Sequence, residues 1–523
     1  MKTTLRPISV ALGITSIYLL WLLGPLITST HDSIYHWDGP PSQLFIPPIF
    51  DFCAFWLLLA LVLIFARGRL RTAIWCGIIA LTPWVYLKNC GYMAQLLVPH
   101  WLSILVLVLG LSAVPLLLAL WRSKFEEKFK KVVRFASMLF IVSSFYGVVI
   151  LFQYAWFGWQ ARSLNTALPL HHAVYDAPAQ AGRSRIIWIV FDELSYKQAY
   201  ERRFPGLQLP ALDALAAQAT VFSHTIPAGI MTEKVLPSLL TGEPVDAIRP
   251  SPNGSLSIHA GAWKRFDEHD TVFQDALNLD YSTAVAGWFN PYCRLLPDVL
   301  DHCFWSYRAS AGNSIAPGVP WQSNIMNPLM RFFKGGLNYR AASLFVHIPT
   351  SSELDAEQHL SDYLALAGAA DRILENQSVG FALLHLPVPH PGGIYDRTTG
   401  KFVLRDSSYI DNLALTDKLL GHIRAELERR GEWNTSTIVI MGDHSWRTKM
   451  FWKGLPDWTK QDQAANEGGF DDRPAYIVKL PDEHTGARID APFAALNTRR
   501  LFDALLSRKI RSKEELSAWA KQQ

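Results

Sequence analysis

The sequence predicts two domains: an N-terminal transmembrane domain of five helices, residues 1–160, and an α/β globular domain, residues 161–523, with a mostly parallel sheet covered by helices on both faces. The chain has 523 residues, of which 50% are hydrophobic, so it is long enough for more than one domain and more apolar than an ordinary cytosolic enzyme. Most apolar residues precede residue 160, in runs close to the roughly 20 residues that a helix needs to cross a bilayer. The remainder contains short apolar runs that end in acidic residues, which is typical of buried strands in a parallel sheet.

Five apolar runs predict the membrane-spanning helices. They cover residues 8–27, 44–65, 72–98, 101–121 and 133–156. The first run could instead be a secretory signal peptide, but it is longer than the roughly 7 to 15 apolar residues of such a signal, and no A-x-A-like cleavage site follows it. We therefore predict that it anchors the chain in a membrane.

The positions of Lys and Arg predict the orientation, because basic residues in short loops stay on the cytoplasmic side of the membrane. Lys2 and Arg6 precede the first run, and three arginines separate the second run from the third: Arg67, Arg69 and Arg71. The segment WRSKFEEKFKKVVR at 121–134, between the fourth and fifth runs, is also rich in basic residues. The intervening loops, THDSIYHWDGPPSQ and VPHW, contain neither Lys nor Arg. The N-terminus is thus predicted to be cytoplasmic. Five crossings then place the globular domain outside a bacterial-type inner (plasma) membrane, in the periplasm or the extracellular space.

Charge and cysteine positions agree with this topology. The net charge of +4 lies in the predicted cytoplasmic loops and a basic C-terminal end, and it does not indicate a nucleic-acid partner. In PYCRLLPDVLDHC, Cys293 and Cys303 are predicted to form a disulfide in an oxidising compartment. Two free thiols, or a zinc site that also uses His302, are the alternatives. The other three cysteines fall in predicted membrane helices, where a thiol usually acts as a small apolar side chain: Cys53, Cys76 and Cys90.

Two predicted strands of the globular domain end in candidate metal ligands. RIIWIVFDELS, residues 185–195, presents Asp192, and TSTIVIMGDHSW, residues 435–446, presents Asp443 and His444. Taken alone, Asp192 could cap the following helix and the Asp-His pair could form an ordinary turn. Because ligands gather beyond the carboxyl ends of parallel strands, the two groups together predict a site for Zn²⁺ or Mn²⁺.

A threonine begins the stretch MTEKVLPSLLTGEP at residues 231–244. On local grounds Thr232 is a helix N-cap, because its hydroxyl can accept a hydrogen bond from a backbone N–H two or three residues later. The start of a helix also directs free N–H groups at an anion. A hydroxyl at this position therefore suits either a structural cap or a nucleophile.

These residues resemble a known family. VFDE after a strand, the Thr of MTEKVLPSLLTG and a late GDHS are similar to three signatures of the alkaline phosphatase superfamily, in its sulfatase-like branch (sulfatase N-terminal domain type) with membrane-bound phosphoethanolamine and phosphoglycerol transferases. The resemblance covers about residues 183–510 and includes the layout of five membrane helices before an outer catalytic domain. HLPVPHPGGIY, residues 385–395, is similar to the H-x-x-G-S-H-G-P-x-Y stretch of the phosphoethanolamine transferases. The alternative for this stretch is two histidines satisfied by backbone carbonyls.

The resemblance implies specific roles for these residues. Thr232 is the expected nucleophile and, with Asp192, Asp443 and His444, a ligand of one divalent metal, Zn²⁺ or Mn²⁺, with Ca²⁺ or Mg²⁺ as alternatives. His390 is expected to hold the phosphate or protonate the leaving group. Substrate binding is assigned to His385, His390, Glu193 and Lys234.

The sequence also departs from related patterns. Sulfatases of this type convert Cys or Ser to formylglycine within C/S-x-P-x-R, whereas here Thr232 is followed by Lys234 in place of Pro and Leu236 in place of Arg. Threonine cannot give formylglycine, which disfavours a true sulfatase. No histidine follows His444 until position 484, so a fixed second metal is not expected. An Asp-x-x-x-His pair, Asp355 and His359, has the spacing of a second-metal pair but lies well before the His385 loop on a predicted helix, and it is expected to be solvated surface.

The expected function is transfer of a phosphoethanolamine- or phosphoglycerol-type headgroup from a membrane lipid donor to an envelope glycan or lipid acceptor, through a covalent threonine intermediate. The first alternative is a sulfatase-like hydrolase of phosphodiesters or sulfate esters. The second is a membrane scaffold that has lost activity. The sequence leaves the oligomeric state open.

Overall fold

The computed structural model describes residues 2–28, 35–37, 40–94, 100–120, 125–162, 184–251, 255–307, 315, 321–326, 351–454 and 458–523. The chain divides into two compact units. We call them the helical unit (Met1–Ile34, Gly39–Leu164 and Ser310–Ile348) and the globular unit (Tyr35–Asp38, Asn165–Ala309 and Pro349–Gln523). The globular unit therefore includes a short piece of chain that comes before the second long helix.

Five long helices lie in the helical unit, at the positions of the five predicted runs: α1 (Lys2–Thr28), α2 (Pro41–Phe65), α3 (Gly68–Met93), α4 (His100–Leu120) and α5 (Phe125–Ala161). Among the described residues, three stretches are long and apolar enough to cross a membrane, namely Pro41–Phe65, Gly68–Gly91 and Glu126–Ala161. Helices α1 and α4 contain the shorter apolar stretches Arg6–Leu20 and Trp101–Ala113. Five crossings and their orientation thus remain a prediction.

Packing within the helical unit leaves an apolar outer surface. Leu58, Val142 and Phe145 are 63%, 69% and 69% exposed, which suits side chains that face lipid better than side chains that face water. Helices α1 and α5 approach closely at Gly13, where an added Cβ would lie 1.7 Å from the carbonyl oxygen of Phe140. Only glycine permits that approach.

The globular unit is built on a mixed eight-stranded sheet in the order β14-β2-β13-β12-β1-β9-β7-β8. These strands are β1 (Ile186–Phe191), β2 (Thr220–Phe222), β7 (Ser282–Trp288), β8 (His302–Ser306), β9 (Val379–Leu386), β12 (Thr437–Gly442), β13 (Tyr476–Lys479) and β14 (Ala487–Ile489). Strand β13 runs antiparallel to both of its neighbours, and the other adjacent pairs are parallel. The predicted, mostly parallel arrangement therefore holds for the central strands.

Short strands and helices complete the unit. The additional strands are β3 (Thr225–Ile226), β4 (Ala247–Pro250), β5 (Leu256–Ala260), β6 (Ala262–Arg265), β10 (Tyr395–Asp396), β11 (Lys401–Phe402) and β15 (Phe493–Ala494). The helices are α6 (Pro210–Ala216), α7 (Thr232–Thr241), α8 (Val272–Asn278), α9 (Tyr292–Leu295), α10 (Ser351–Glu375), α11 (Tyr409–Arg429), α12 (Lys460–Ala465), α13 (Thr498–Leu506) and α14 (Lys513–Ala520).

The sheet has an apolar core on each face because alternate side chains of a strand point in opposite directions. In β1, Ile187 and Ile189 pack in the core that α10 and α11 cover. Trp188 and Val190 pack in the opposite core, under α7, α8 and α13. Burial on both faces explains why β1 reads as one continuous apolar run, and each such large side chain contributes roughly 1.5 to 3 kcal/mol of burial free energy.

The register of the central strands brings three strand ends to one edge. Phe191, the last residue of β1, pairs with Gly442 at the end of β12 and with Leu386 at the end of β9. Residues that immediately follow β1 and β12 therefore lie side by side, next to the loop after β9. Asp192 and Asp443 occupy these positions.

A disulfide joins helix α9 to strand β8. Cys293 and Cys303 form this bond, with their Cα atoms 5.7 Å apart. It ties the short helix after β7 to the edge strand of the sheet. Cys53, Cys76 and Cys90 are free thiols of the membrane-type helices.

Candidate active site

The hydroxyl of Thr232 lies among three candidate metal ligands. Its Oγ1 is 2.8 Å from Asp443 Oδ2, 3.2 Å from Asp192 Oδ2 and 3.1 Å from His444 Nε2. A hydroxyl has one proton and can donate it to only one of the two carboxylates. The two carboxylates therefore offer more oxygen lone pairs than the single hydroxyl proton can satisfy, and this favours binding of a cation.

Helix geometry explains why the hydroxyl faces the carboxylates. Helix α7 is capped by Met231, whose extended backbone precedes Thr232 and whose side chain makes no capping hydrogen bond. Thr232 is the first residue within the helix, and its Oγ1 bonds side chains of the strand ends. The local interpretation of Thr232 as the N-cap is therefore wrong, because the neighbouring strand ends compete successfully for its hydroxyl.

The threonine centre, which we define as Thr232, Asp192, His385, Asp443 and His444, is buried and has spare ligand atoms. The side chains of this centre are at most 3% exposed. Asp192 Oδ1 and His385 Nε2 have no hydrogen-bond partner among the described residues. Buried polar atoms without a partner are rare and call for a specific cause. Here a bound metal ion supplies one, because carboxylate oxygens and imidazole nitrogens are its usual ligands.

Two sets of ligand atoms are close enough to share an ion. Atoms of Asp192, His385 and Asp443 lie within 4.8 Å of one another, as do atoms of Asp192, Glu193 and His444. The donor set of oxygen with nitrogen fits Zn²⁺ or Mn²⁺.

The negative charge of the threonine centre affects the pKa of His444. Burial disfavours the charged form of His444, but the carboxylate of Asp443 outweighs burial and raises the pKa of His444 to about 9. Burial also opposes ionisation of Asp443, yet His444 holds the pKa of that carboxyl well below its usual range.

His385 belongs to this centre. Its Nε2 lies 3.6 Å from Asp192 Oδ2, and its Nδ1 is 2.8 Å from the hydroxyl of Tyr292. Tyr292 reaches His385 across Gly287, the β7 residue paired with His385, where an added Cβ would lie 2.1 Å from the tyrosine ring. The sequence assigned His385 to substrate binding, and the structure places it beside the candidate metal ligands.

Glu193 is committed to an ion pair. Its carboxylate accepts hydrogen bonds from Arg447 Nε at 2.7 Å and from Trp452 Nε1 at 3.0 Å. Its backbone has a φ of 64°, in the left-handed region, and its N–H donates to Asp443 Oδ1 at 3.0 Å. Burial raises the pKa of Glu193, although Arg447 acts in the opposite direction. These contacts fit a residue that positions Asp443 better than one that binds substrate.

Two further predicted residues, Lys234 and His390, are not members of the threonine centre. Lys234 is partly exposed on α7, and the described residues give its ammonium no ionic partner. His390 is hydrogen-bonded through Nδ1 to the carbonyl of Pro391 at 2.7 Å. Burial lowers the pKa of His390 to about 3, so its imidazole is neutral at pH 7.

His390 lies in an aromatic cluster, which we define as Trp288, His359, His390 and Trp452. The ring of His390 meets those of Trp288 and Trp452 edge to face, each at 5.0 Å between centroids. His359 stacks on Trp288 at 5.7 Å. Trp452 also donates a hydrogen bond to the carboxylate of Glu193. The aromatic cluster therefore contacts the ion pair of Glu193 and Arg447 at the edge of the site.

The expectation that His359 is solvated helix surface is wrong. Its side chain is buried, with Nδ1 2.8 Å from the carbonyl of Gly392 and Nε2 2.7 Å from that of Pro387. The helix face that carries His359 packs against the loop after β9, and this loop supplies both carbonyls. Asp355, one turn earlier, is exposed as expected.

Several residues of the site were not selected from the sequence: Tyr292, Arg447, Trp288, Trp452 and Asn290. They belong to the aromatic cluster or contact the residues around the threonine centre. Only Arg447 had a local signal, because it follows His444 closely in GDHSWRTK.

A buried nucleophile-type hydroxyl and a candidate metal site lie together at the carboxyl edge of an α/β sheet, as in an enzyme that acts through a metal-activated hydroxyl. Residues 184–471, more than half of the chain, match the model of the sulfatase family. The chain belongs to that family, and it is a sulfatase-like enzyme.

Solved structures are similar to this chain at low sequence identity. The structure of Ps i-CgsB in complex with k-i-k-neocarrahexaose is 17% identical, with 64% of this chain and 74% of that chain covered and a TM-score of 0.40. The lipoteichoic acid synthase LtaP from Listeria monocytogenes is 15% identical over 64% and 74% of the two chains, with a TM-score of 0.38. The phosphonate monoester hydrolase of Agrobacterium radiobacter is 13% identical over 62% and 74%, with a TM-score of 0.38. No curated protein matches the chain.

Proposed function

We propose that this enzyme transfers a phosphoethanolamine- or phosphoglycerol-type headgroup from a membrane lipid to an envelope glycan or lipid, with Thr232 as the covalent carrier. The observation that carries the proposal is the position of Thr232 Oγ1, within 3.2 Å of Asp192, Asp443 and His444 in a buried centre. A hydroxyl needs such surroundings to act as a nucleophile near neutral pH.

The transfer proceeds in two balanced steps. In the first, Thr232 Oγ1 forms a bond to phosphorus while the phosphorus–oxygen bond to diacylglycerol breaks, and the diacylglycerol oxygen gains a proton. Asp443 Oδ2, at 2.8 Å, is the nearest acceptor for the hydroxyl proton of Thr232. In the second step an acceptor hydroxyl attacks phosphorus, the bond to Oγ1 breaks, and the proton lost by the acceptor hydroxyl returns to Oγ1 by way of Asp443.

Asp192, Asp443, His444 and Thr232 are the proposed ligands of one divalent ion, Zn²⁺ or Mn²⁺, with His385 Nε2 available as a further ligand. A bound ion would favour the deprotonated hydroxyl and stabilise negative charge on the phosphate. His390 is a neutral imidazole at pH 7, since burial lowers its pKa to about 3. It is proposed to hold a phosphate or ester oxygen through a hydrogen bond from Nε2, for which its single proton moves to Nε2 from Nδ1, where it bonds the carbonyl of Pro391.

Two features support transfer from a lipid. Threonine cannot be converted to formylglycine, so a carrier of phosphoryl type fits this centre better than sulfatase chemistry. The helical unit has three stretches that are long and apolar enough to cross a membrane, whereas a hydrolase of soluble esters needs at most one anchor. An extended membrane domain suits an enzyme whose donor is itself a lipid.

Mass spectrometry of the nucleophile tests the proposal. Full-length protein in detergent is incubated with phosphatidylethanolamine or phosphatidylglycerol, quenched in acid and digested. We expect a phosphoethanolamine or phosphoglycerol adduct on Thr232. Thr241, at the other end of helix α7, is a matched internal control and should stay unmodified. An adduct on Thr232 from a soluble phosphodiester, in which the phosphate keeps one of its two alcohol groups, with neither lipid giving an adduct, would favour the hydrolase instead.

The proposed topology has its own test. With the N-terminus in the cytoplasm and five crossings, the C-terminus lies outside the inner membrane, in the periplasm or the extracellular space. Alkaline phosphatase fused after Gln523 should then be active, and a cytoplasm-dependent fluorescent protein at the same position should be dark. The opposite pattern would contradict the orientation.

A further inference from the structure

A short segment from the N-terminal part of the chain is linked to Thr232 through the side chain of Asn290. Tyr35, His36 and Trp37 come between helices α1 and α2 in sequence but belong to the globular unit. Tyr35 and Trp37 are 0% and 2% exposed. Such burial, outside any long helix, indicates that these residues are an integral part of the globular unit.

Arg294 fixes the backbone of this segment. Its guanidinium donates to the carbonyl of Tyr35 at 3.3 Å and to that of Trp37 at 2.5 Å. It also lies over the ring of Trp305, 4.9 Å from the centroid. The neighbouring Cys293 is tied to Cys303 by the disulfide. Arg294 is thus held on one side by strand β8 and holds the segment on the other.

His36 of this segment contacts Phe289, whose backbone conformation is strained. Phe289 has a φ of 68°, which is unfavourable for a bulky side chain and persists only where its surroundings enforce it. His36 Nδ1 is 3.0 Å from the carbonyl of Phe289, and the two rings are 4.4 Å apart. Tyr307 packs on both rings, at 5.1 Å from His36 and 4.8 Å from Phe289.

The next residue reaches the nucleophile. Asn290 accepts a hydrogen bond from the hydroxyl of Tyr35 at 3.4 Å, and its Nδ2 donates to the backbone carbonyl of Thr232 at 3.4 Å. Asn290 itself is buried. One amide side chain thus connects the segment to the residue that carries the reacting hydroxyl.

We propose that His36 and Tyr35 are positioning residues for Thr232: His36 holds Phe289 in its left-handed conformation, and Tyr35 orients the amide of Asn290 toward the carbonyl of Thr232. The inference rests on the proposed function only in taking Thr232 as the nucleophile. Burial lowers the pKa of His36 to about 4, so the imidazole is neutral at pH 7. Its single proton then lies on Nδ1, where it bonds the carbonyl of Phe289.

Two substitutions separate the hydrogen bond from the packing. His36→Phe keeps a ring of similar size but removes the donor. His36→Asn keeps a donor at the position of Nδ1 but removes the ring. His259 is the matched control, because its ring also packs on an aromatic side chain, Trp263 at 5.3 Å, on a strand outside the main sheet.

Turnover of bis(p-nitrophenyl) phosphate is measured on full-length protein in detergent, together with melting temperature and metal content. A misplaced reacting group costs on the order of 10- to 100-fold in rate, and we expect His36→Phe to lower kcat by that amount with KM changed less than about twofold. His36→Asn should recover much of kcat, Tyr35→Phe should show a smaller loss of kcat, and His259→Phe should match the parent. Parent kcat in His36→Phe, or no recovery in His36→Asn at an unchanged melting temperature, would overturn the proposal.

A second measurement does not depend on activity. Hydrogen exchange should become faster at the backbone amides of residues 231–235 in His36→Phe, because the start of helix α7 loses its support through Asn290. If the parent turns over no ester but this exchange is faster, the proposed function fails and the positioning role stands. Unchanged exchange in that peptide would reject the positioning role, whatever the activity.

Discussion

The threonine centre and the aromatic cluster receive two histidines from the same strand and loop, yet they satisfy them in opposite ways. His385, in the threonine centre, has one ring nitrogen on Tyr292 and leaves Nε2 without a partner beside Asp192. His390, five residues later, bonds a backbone carbonyl and packs its ring between two tryptophans. The first environment leaves a buried ring nitrogen for a further ligand, whereas the second occupies Nδ1 with a backbone carbonyl. A shared loop and a shared residue type therefore do not imply a shared role.

The largest expected effect is the loss of the hydroxyl from the threonine centre. Loss of a nucleophile costs on the order of 10⁴ to 10⁶ in kcat, and Thr232→Ala should lose activity by that amount while keeping its fold and metal. Thr232→Ser retains a hydroxyl and should keep measurable activity. The assay is single-turnover release from a phosphodiester, with circular dichroism to check folding. Activity in Thr232→Ala within tenfold of the parent would remove the covalent mechanism.

A comparison of the two histidines gives the next largest effect. His385→Gln should lower metal stoichiometry, as should Asp192→Asn and Asp443→Asn, because these side chains offer ligand atoms to one buried position. His390→Gln should bind the normal amount of metal and lose roughly 10² to 10⁴ in rate, the usual range for a lost proton-transfer or hydrogen-bonding group. Elemental analysis and kinetics are carried out on the same samples. Metal loss in His390→Gln with normal metal in His385→Gln would reverse the comparison.

The smallest effect concerns acid stability. Burial lowers the pKa of His390 from 6.5 to about 3, so the unfolded chain takes up a proton in this pH range that the folded chain does not. The folded state is therefore favoured by this residue above pH 6.5 and loses that contribution as the pH falls toward about 3. His390→Phe cannot take up this proton, and its melting temperature should fall less than that of the parent between pH 7 and pH 5. Equal falls would mean that His390 titrates normally.

The residues that could be predicted from the sequence are those at the ends of buried strands. Asp192 and Asp443 follow apolar runs, and parallel strands bring their ends together whatever the rest of the fold does. Thr232 was singled out because a known signature surrounds it. The position of His385 beside the candidate metal ligands depends on the register of β9 against β1 and on the hydrogen bond to Tyr292. Neither contact can be predicted from a local sequence pattern.

Predictions from local chemistry failed where distant residues competed. The hydroxyl of Thr232 makes no helix cap because two strand-end carboxylates lie within its reach. His359 is not solvated because a loop about thirty residues away supplies two carbonyls to its ring. The sequence predicts which groups are available, and tertiary contacts decide which partner each group takes.

The position of Tyr35–Trp37 bears on how this enzyme can evolve by exchange of domains. A recombination event that joined the catalytic part, from about residue 165, to a different anchor would discard these residues along with the original N-terminal helices. Arg294 would then face empty space in place of two carbonyls, and Phe289 would lose its clamp. We therefore expect a hybrid gene to give a working enzyme only if its new N-terminal part brings an equivalent of this three-residue segment.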